Sequence, residues 1–435
     1  MSKSIVSIVK YEKPLESVRK AIELSKLFEG IPKDAKLFIK PNIVYWSSYP
    51  HPKWGVITTS RVMEDVVVLL NEQGIHDITI GEGFGSNEAA EDAFKKLGYN
   101  LLKERFGVKL VNTLDVSVEK IDMGCDFKVN FSSAPLKADY IISIPVLKTH
   151  SQAHVSLSMK NLKGFINIAS RKKFHNADPI KNLHYNVAKL ANNIPPVLAI
   201  LDGIYTLERG PSMDGKAHKS NILVASKDVL SADFVGAKLL GIEPSSVPHL
   251  AIAAEDRNRP IDLSDIEIVG EKVESLATHH EWEFLYNDAG DLPLPFYKRQ
   301  FKGLKYRKYD TTICTYCSMI NGLLLILIAN AWNGESYGDI EFLTGKVMEP
   351  SPGMNKTILV GQCQYNKNKD HPNIKEMIPI RGCPPSMEDV REAFENCGIK
   401  VNPQLFQGGT DQGGAIFLQK YKGKPEFEES FYKIK

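Results

Sequence analysis

Four cysteines in the last third of the chain have the types and spacing for iron chemistry. They are Cys314 and Cys317 in ICTYCS, Cys363 in LVGQCQ and Cys383 in IRGCPPS, a C-x2-C-x45-C-x19-C pattern. Four thiolates are the full complement of a cubane [4Fe–4S] cluster. A structural zinc ion also accepts four thiolates, although zinc ribbons usually use two close C-x2-C knuckles. An unligated set is the third alternative. The sequence places all four at the carboxyl ends of strands, where open α/β sheets collect ligands. Cys314 and Cys317 follow the strand-like YDTTI, Cys363 ends KTILVG, and Cys383 lies between MIPI and a capped helix, SMEDVREAF. Pro384 removes an N–H and fixes the backbone beside Cys383. Cys397 shares a helix core face with Val390, Ala393 and Phe394, so it is not a ligand candidate. Cys125 stands alone in an alternating strand and reads as structural.

A second constellation is basic. Residues 145–189 hold eight Lys/Arg, four of the chain's eleven histidines and one acid, Asp178. His150 and His154 are at i, i+4 and Lys160 and Lys163 at i, i+3, spacings that share a face on a helix. Such a segment can bind a carboxylate or phosphate. Lys148, Lys160 and Lys163 would neutralise the anion, and His150, His154 or Lys160 would move protons, a histidine serving alternatively as a metal ligand. The bland alternative is a solvated basic face. Against it, the lysines are interleaved with Thr149, Ser156, Ser158, Asn161 and Gly164, small polar residues suited to lining a site. The group Arg171-Lys172-Lys173 reads as surface. Two strand-end loops are candidates to join the site: Lys40-Pro41-Asn42, and GEGFGS with Gly83, whose glycines let backbone N–H groups approach an anion. Asp202 and Glu208, in LDGIYTLERGPSMDG, are either metal ligands or lysine partners, or simply parts of a turn.

These residues must be held by a scaffold. At 435 residues the chain exceeds one ordinary core, so two domains are expected. Through residue 270, apolar β-rich runs alternate with helical segments: AKLFIKPNIV, a helix capped by Ser60, DITIGEG, a helix through Ala90, Phe94 and Leu97, then ADYIISIPVL, PVLAILDGI and NILVAS. That alternation predicts an α/β domain with a largely parallel sheet. Residues 271–305 read as a linker or surface excursion, and 306–435 as a smaller α/β domain.

Composition narrows the class. The chain is 43% hydrophobic and 24% charged, with net charge +2, so no global field selects nucleic acid or a membrane. The start, MSKSIVSIVKYEKP, reads as a first strand rather than a signal peptide. The run Leu323 to Trp332 is about half the length that spans a bilayer. Six cysteines are too few for a disulfide scaffold, and a cytoplasmic location is expected.

The run LVGQC, about twenty residues, then GCPPS and a helix resembles the cluster-binding half of nickel–iron hydrogenase small subunits and its counterpart in respiratory complex I. That resemblance covers roughly 310–400. It implies a flavodoxin-like sheet holding one four-iron cluster on Cys314, Cys317, Cys363 and Cys383, with the C-x2-C pair as a departure. KPN, PVLKTH, SMKNLKG and LDGIYTLERGP, in that order, resemble the domain of unknown function 362 family over most of 35–270. That likeness implies an α/β domain often coupled to iron–sulfur clusters, mostly in anaerobes, and supplies no reaction. A more distant likeness runs to nickel-dependent lactate racemases, with no full motif matched.

The expectation is therefore an iron–sulfur oxidoreductase with one [4Fe–4S] cluster. It would pass single electrons between a ferredoxin-like partner and an anionic small-molecule substrate or cofactor. The rivals are a non-redox isomerase, racemase or lyase centred on the His/Lys segment, and an iron–sulfur cluster carrier.

Overall fold

The computed structural model describes residues 3–124, 128–212, 214–407 and 411–435, so Cys125 lies outside the described residues. The chain divides into two compact units. The first is Met1–Ser170, His184–Glu283 and Phe417–Lys435; the second is Arg171–Leu183 and Phe284–Ile416.

The first unit is built on strands β1 (Ser4–Lys10), β2 (Leu37–Pro41), β3 (Ile78–Glu82) and β4 (Lys109–Asn112). A separate antiparallel hairpin follows, β5 (Val118–Asp122) and β6 (Lys128–Ser132). Then come β7 (Tyr140–Ile144), β8 (Val146–His150), β9 (His154–Ser156), β10 (Val197–Glu208), β11 (Lys216–Ser226) and β12 (Ile266–Gly270). The main sheet runs β12-β1-β11-β10-β7-β2-β3-β4, with β8 on β10 and β9 on β8. Most pairings are parallel; β11 against β1 and β10, and β9 against β8, are antiparallel. Strands β2, β8 and β10 are buried along their whole length. The apolar runs LFI of β2 and VLAIL of β10 are the mark of strands covered on both faces, whereas β8, VLKTH, buries polar side chains as well. The helix Ser60–Glu72 buries Val62, Met63, Val66, Leu69 and Leu70. Its cap is Thr59, whose Oγ1 accepts from the Val62 N–H at 3.4 Å. The expected cap, Ser60, is instead the first helical residue.

The second unit contains β13 (Leu304–Tyr306), β14 (Ile340–Leu343), β15 (Lys356–Val360) and β16 (Glu376–Ile380), a four-stranded all-parallel sheet. Its order follows the chain, so it is a parallel α/β sheet without the reversed strand order of a flavodoxin-like arrangement. The segment YDTTI is loop and turn; the strand before the first cysteine pair is β13. The helix Met387–Cys397 starts in a capping box formed by Ser386 and Asp389 and stops at left-handed Gly398. Among the described residues, no helix is long and apolar enough to cross a membrane.

The expected boundaries at 270 and 305 need correcting. Leu292, Phe296 and Phe301 are core residues of the second unit, so 284–305 is no linker. The C-terminal residues, expected in the second domain, belong to the first: Phe417, Tyr421, Tyr432 and Ile434 are buried in its core. Tyr421 Oη accepts from the Ala217 N–H at 2.6 Å, and Tyr432 Oη from the Gly55 N–H at 3.3 Å.

Candidate functional site

In the first unit, the carboxyl ends of β2 and β3 bring Lys40 and Glu82 together at 2.5 Å, both nearly fully buried. Glu82 also accepts backbone N–H groups from Ile43 (2.8 Å) and Gly83 (2.7 Å). Lys40 donates to the Pro41 carbonyl at 2.7 Å. Asn161 Nδ2 donates to the Lys40 carbonyl (3.0 Å) and Ser143 Oγ (3.1 Å). Asn42 Nδ2 donates to Asn161 Oδ1 at 3.4 Å, while Asn42 Oδ1 accepts from Lys148 Nζ at 2.7 Å. Lys148 also donates to the carbonyls of Val56 (2.9 Å) and Pro211 (3.0 Å). Three acceptors suit an ammonium. Against that, burial and the charges of Lys160 and Lys40 push its pKa well below the usual lysine value. Lys40, Asn42, Lys148 and Gly83, expected to line one binding site, are neighbours in this network, and Lys40 and Lys148 are held by internal partners.

Asp202 is also buried. It lies inside β10, where its oxygens accept N–H groups from Thr59 (2.7 Å) and Ile204 (3.2 Å). Burial raises its pKa. It ties the start of the Ser60–Glu72 helix to the sheet. Glu208 faces His218 at 3.3 Å, with Arg209 and Lys216 at 3.9 Å.

His150 and His154 are cross-strand partners in the β8–β9 hairpin, not neighbours on a helix. His150 Nδ1 accepts N–H groups from Gln152 (3.1 Å) and Ala153 (3.3 Å), so its ring braces the turn. His154 has φ +62° and stacks on Trp282 at 3.9 Å between centroids. Its Nδ1 lies 2.9 Å from the Ser246 carbonyl. Lys160 ends the short helix Ser158–Asn161, and Lys163 sits in the following 3-10 turn, Leu162–Phe165. Lys160 has no hydrogen-bonding or ionic partner among the described residues, and burial lowers its pKa to about 7. That value suits proton transfer at neutral pH.

In the second unit, the segments that follow β13, β15 and β16 carry the four cysteines at the carboxyl edge of the parallel sheet. Cys314 caps the helix Thr315–Ala331, with Cys317 in its first turn. Cys363 lies in the first turn of the helix Gly361–Asn368, just past the expected strand end. Cys383 precedes a cis proline. The four interact electrostatically: a hydrogen bond to Cys314, burial and the other three cysteines raise the Cys317 pKa. Burial raises that of Cys363. Hydrogen bonds from Cys317 and the adjacent backbone hold Cys314 well below the ordinary thiol value. Gly361 leaves room for this packing, since a Cβ there would lie 3.0 Å from Cys317 Sγ. Among the described residues, no three His, Cys, Asp or Glu side chains close on a point that could hold a single metal ion.

Lys172, read from the sequence as surface, donates to Cys383 Sγ at 3.2 Å and lies 5.0 Å from the Tyr316 ring centroid. Lys346 donates to the carbonyls of Lys172 and His175, and its charge acts on Cys314 and Cys363. A cluster with four thiolates is anionic overall, so two adjacent cations complement it.

Sequence reasoning also missed Glu82, although it stands in the quoted GEGFGS. An acid at a strand end beside a lysine-bearing strand end was the available signal. His184 and His249 were missed as well.

Comparison with known proteins matches residues 37–238 to the family described as "Domain of unknown function (DUF362)". The chain is 25% identical over 247 residues to the "Thylakoid-associated protein sll1697" of Synechocystis sp., covering 54% of this chain and 73% of that protein. Among solved structures it is similar to the lactate racemase apoprotein from Thermoanaerobacterium thermosaccharolyticum, with 14% identity and a TM-score of 0.30. That match covers 54% of this chain and 57% of the racemase, just over half its length, and carries none of its chemistry to this chain.

Proposed function

We propose that the protein is an iron–sulfur oxidoreductase whose second unit binds one [4Fe–4S] cluster through Cys314, Cys317, Cys363 and Cys383. The observation that carries this reading is the gathering of four thiols at one sheet edge, with Lys172 Nζ 3.2 Å from Cys383 Sγ. The donor set fits the group. A cubane offers one iron to each cysteine, whereas zinc needs four sulfurs on one centre at about 2.3 Å. The four thiols interact electrostatically, and among the described residues no three His, Cys, Asp or Glu side chains are grouped to hold one metal ion. When bound, the cluster supplies one-electron chemistry.

The chain's own residues would then divide the work. The cysteines hold the irons, and Lys172 and Lys346 offset the cluster's negative charge. In the first unit, Lys160 offers an unpaired amine that takes or gives a proton near neutral pH. An anionic small molecule is the substrate class that a basic, half-buried site would accept, and a ferredoxin-like protein is the electron partner. The setting we propose is cytoplasmic, beside a relative whose name places it at the thylakoid.

Anaerobic purification followed by iron and sulfide analysis tests the reading, with electron paramagnetic resonance after reduction. About four irons and four sulfides per chain are expected. A colourless protein carrying only zinc would refute it.

The poised Lys160 favours a second reading, a non-redox isomerase, racemase or lyase with structural cysteines. Folded Cys383→Ser protein would then keep residual activity, whereas the redox reading requires its loss.

A further inference from the structure

His249 lies in the helix Pro248–Asp256, fully buried, and neither ring nitrogen has a hydrogen-bond partner among the described residues. A neutral imidazole carries one donor and one acceptor, and buried polar groups are normally satisfied. Its neighbours are also basic. The His184 ring lies 6.1 Å from His249 and 5.6 Å from His154 between centroids. The three imidazoles thus run from half-buried His154 to the fully enclosed His249. Lys160 is near enough for its charge to act on both His249 and Lys148.

Four carboxylates on the neighbouring elements are already engaged. Asp233 accepts the N–H groups of Ser158 (2.7 Å) and Met159 (2.9 Å). Asp228 pairs with Arg259, Glu243 with Lys238 and Asp256 with Lys189. The cluster therefore concentrates basic nitrogens, while these four acids have partners of their own.

We propose that His249, His184, His154 and Lys160 form an oxyanion subsite of the first unit, taking a small carboxylate or a phosphate. This deepens the reading that the first unit receives an anion, and it stands whether or not the cluster reading does. An anion between these groups gives the His249 ring a partner and offsets the mutual repulsion of the imidazoles and Lys160. Burial and the neighbouring charges lower the His184 pKa to about 4 and hold His249 well below the usual histidine value. The anion removes part of the penalty, so its binding draws a proton from solvent onto the cluster.

The test uses the full chain, purified anaerobically, and isothermal titration calorimetry with two probes, malonate and inorganic phosphate. Each titration is run in two buffers of different ionisation enthalpy. The expected result is saturable binding of at least one probe with uptake of about one proton at pH 7. Whichever probe binds more tightly identifies a carboxylate or a phosphate as the ligand class. Lys160→Met, which removes no hydrogen bond among the described residues, and His249→Gln should each weaken binding at least tenfold. If His249→Gln fails to fold, Lys160→Met decides alone. Absence of binding by both probes, or undiminished binding in the folded variants, overturns the proposal. Iron content is measured on the same samples. Iron-free protein that still binds the anion would refute the cluster and leave the subsite standing.

Discussion

Gly164 packs directly against the Lys40–Glu82 ion pair. A Cβ on Gly164 would lie 2.5 Å from Lys40 Cε and 2.6 Å from Glu82 Oε1. Lys40 is fixed by its pairing, so it has little freedom to give way. Gly164→Ala is therefore expected to cost about 1–3 kcal/mol through overpacking. Urea unfolding measures this; an unchanged midpoint would mean that the pair relaxes freely.

Removing one member of the same pair should cost more. Glu82→Ala leaves the Lys40 ammonium buried without its counter-charge, and such truncations typically cost about 3–5 kcal/mol. Replacing both residues by apolar ones, Lys40→Met with Glu82→Leu, should be milder than Glu82→Ala alone. A double variant less stable than the single would contradict this account.

Much of the scaffold was legible because parallel strands buried on both faces read as apolar runs, as in LFIKP and VLAILDGIYTLE. The four cysteines were legible because each follows a strand of one parallel sheet. Lys172 was not, because Arg171–Leu183 leaves the first unit's chain path to fold with the second. Nothing local to an RKKF run announces a thiol neighbour. His184 and His249 lie 65 residues apart in sequence, and periodicity carries no information at that range. The surviving signal was composition: a histidine beside proline in the alanine-rich PHLAIAAED. The helix reading of His150 and His154 failed because their four-residue separation also fits a hairpin, where antiparallel pairing sets them opposite each other.

Under the cluster reading, the cysteines should separate cleanly by iron retention. Cys363→Ser and Cys383→Ser are expected to lose most of the iron. Cys397→Ser should keep all of it, since Cys397 packs in the core with Val390 and Phe394. Its hydroxyl would cost stability, about 1–3 kcal/mol for an unpaired buried polar group. Iron analysis with thermal unfolding checks both arms, and iron loss from Cys397→Ser would reassign the ligands.

Lys172 should tune the same centre. Its ammonium sits on Cys383 Sγ, and hydrogen bonds to the sulfurs and local charge set cluster potentials. A positive neighbour stabilises the more negative, reduced form. Lys172→Met is therefore expected to lower the midpoint potential, while exposed Lys173→Met leaves it unchanged. A potentiometric titration followed by electron paramagnetic resonance reads the shift. Equal potentials in the two variants would remove Lys172 from the site.

Acid stability offers a test independent of any cofactor. His280 is 1% exposed, with Nδ1 2.9 Å from the Thr278 carbonyl and Nε2 2.8 Å from Thr206 Oγ1. Burial lowers its pKa to about 4. In the unfolded chain the ring takes its proton near pH 6.5. Between those values the unfolded state binds more protons than the folded one, so stability present above pH 6.5 is lost as the pH falls toward 4. One such group contributes a slope of up to about 1.4 kcal/mol per pH unit. His280→Gln should flatten the decline by about that amount and leave stability above pH 6.5 with a similar pH dependence. His51 and His184, also lowered to about 4, keep part of the acid lability in the variant. Urea unfolding from pH 4.5 to 7.5 measures both curves. Parallel curves would mean that His280 is not buried in its neutral form.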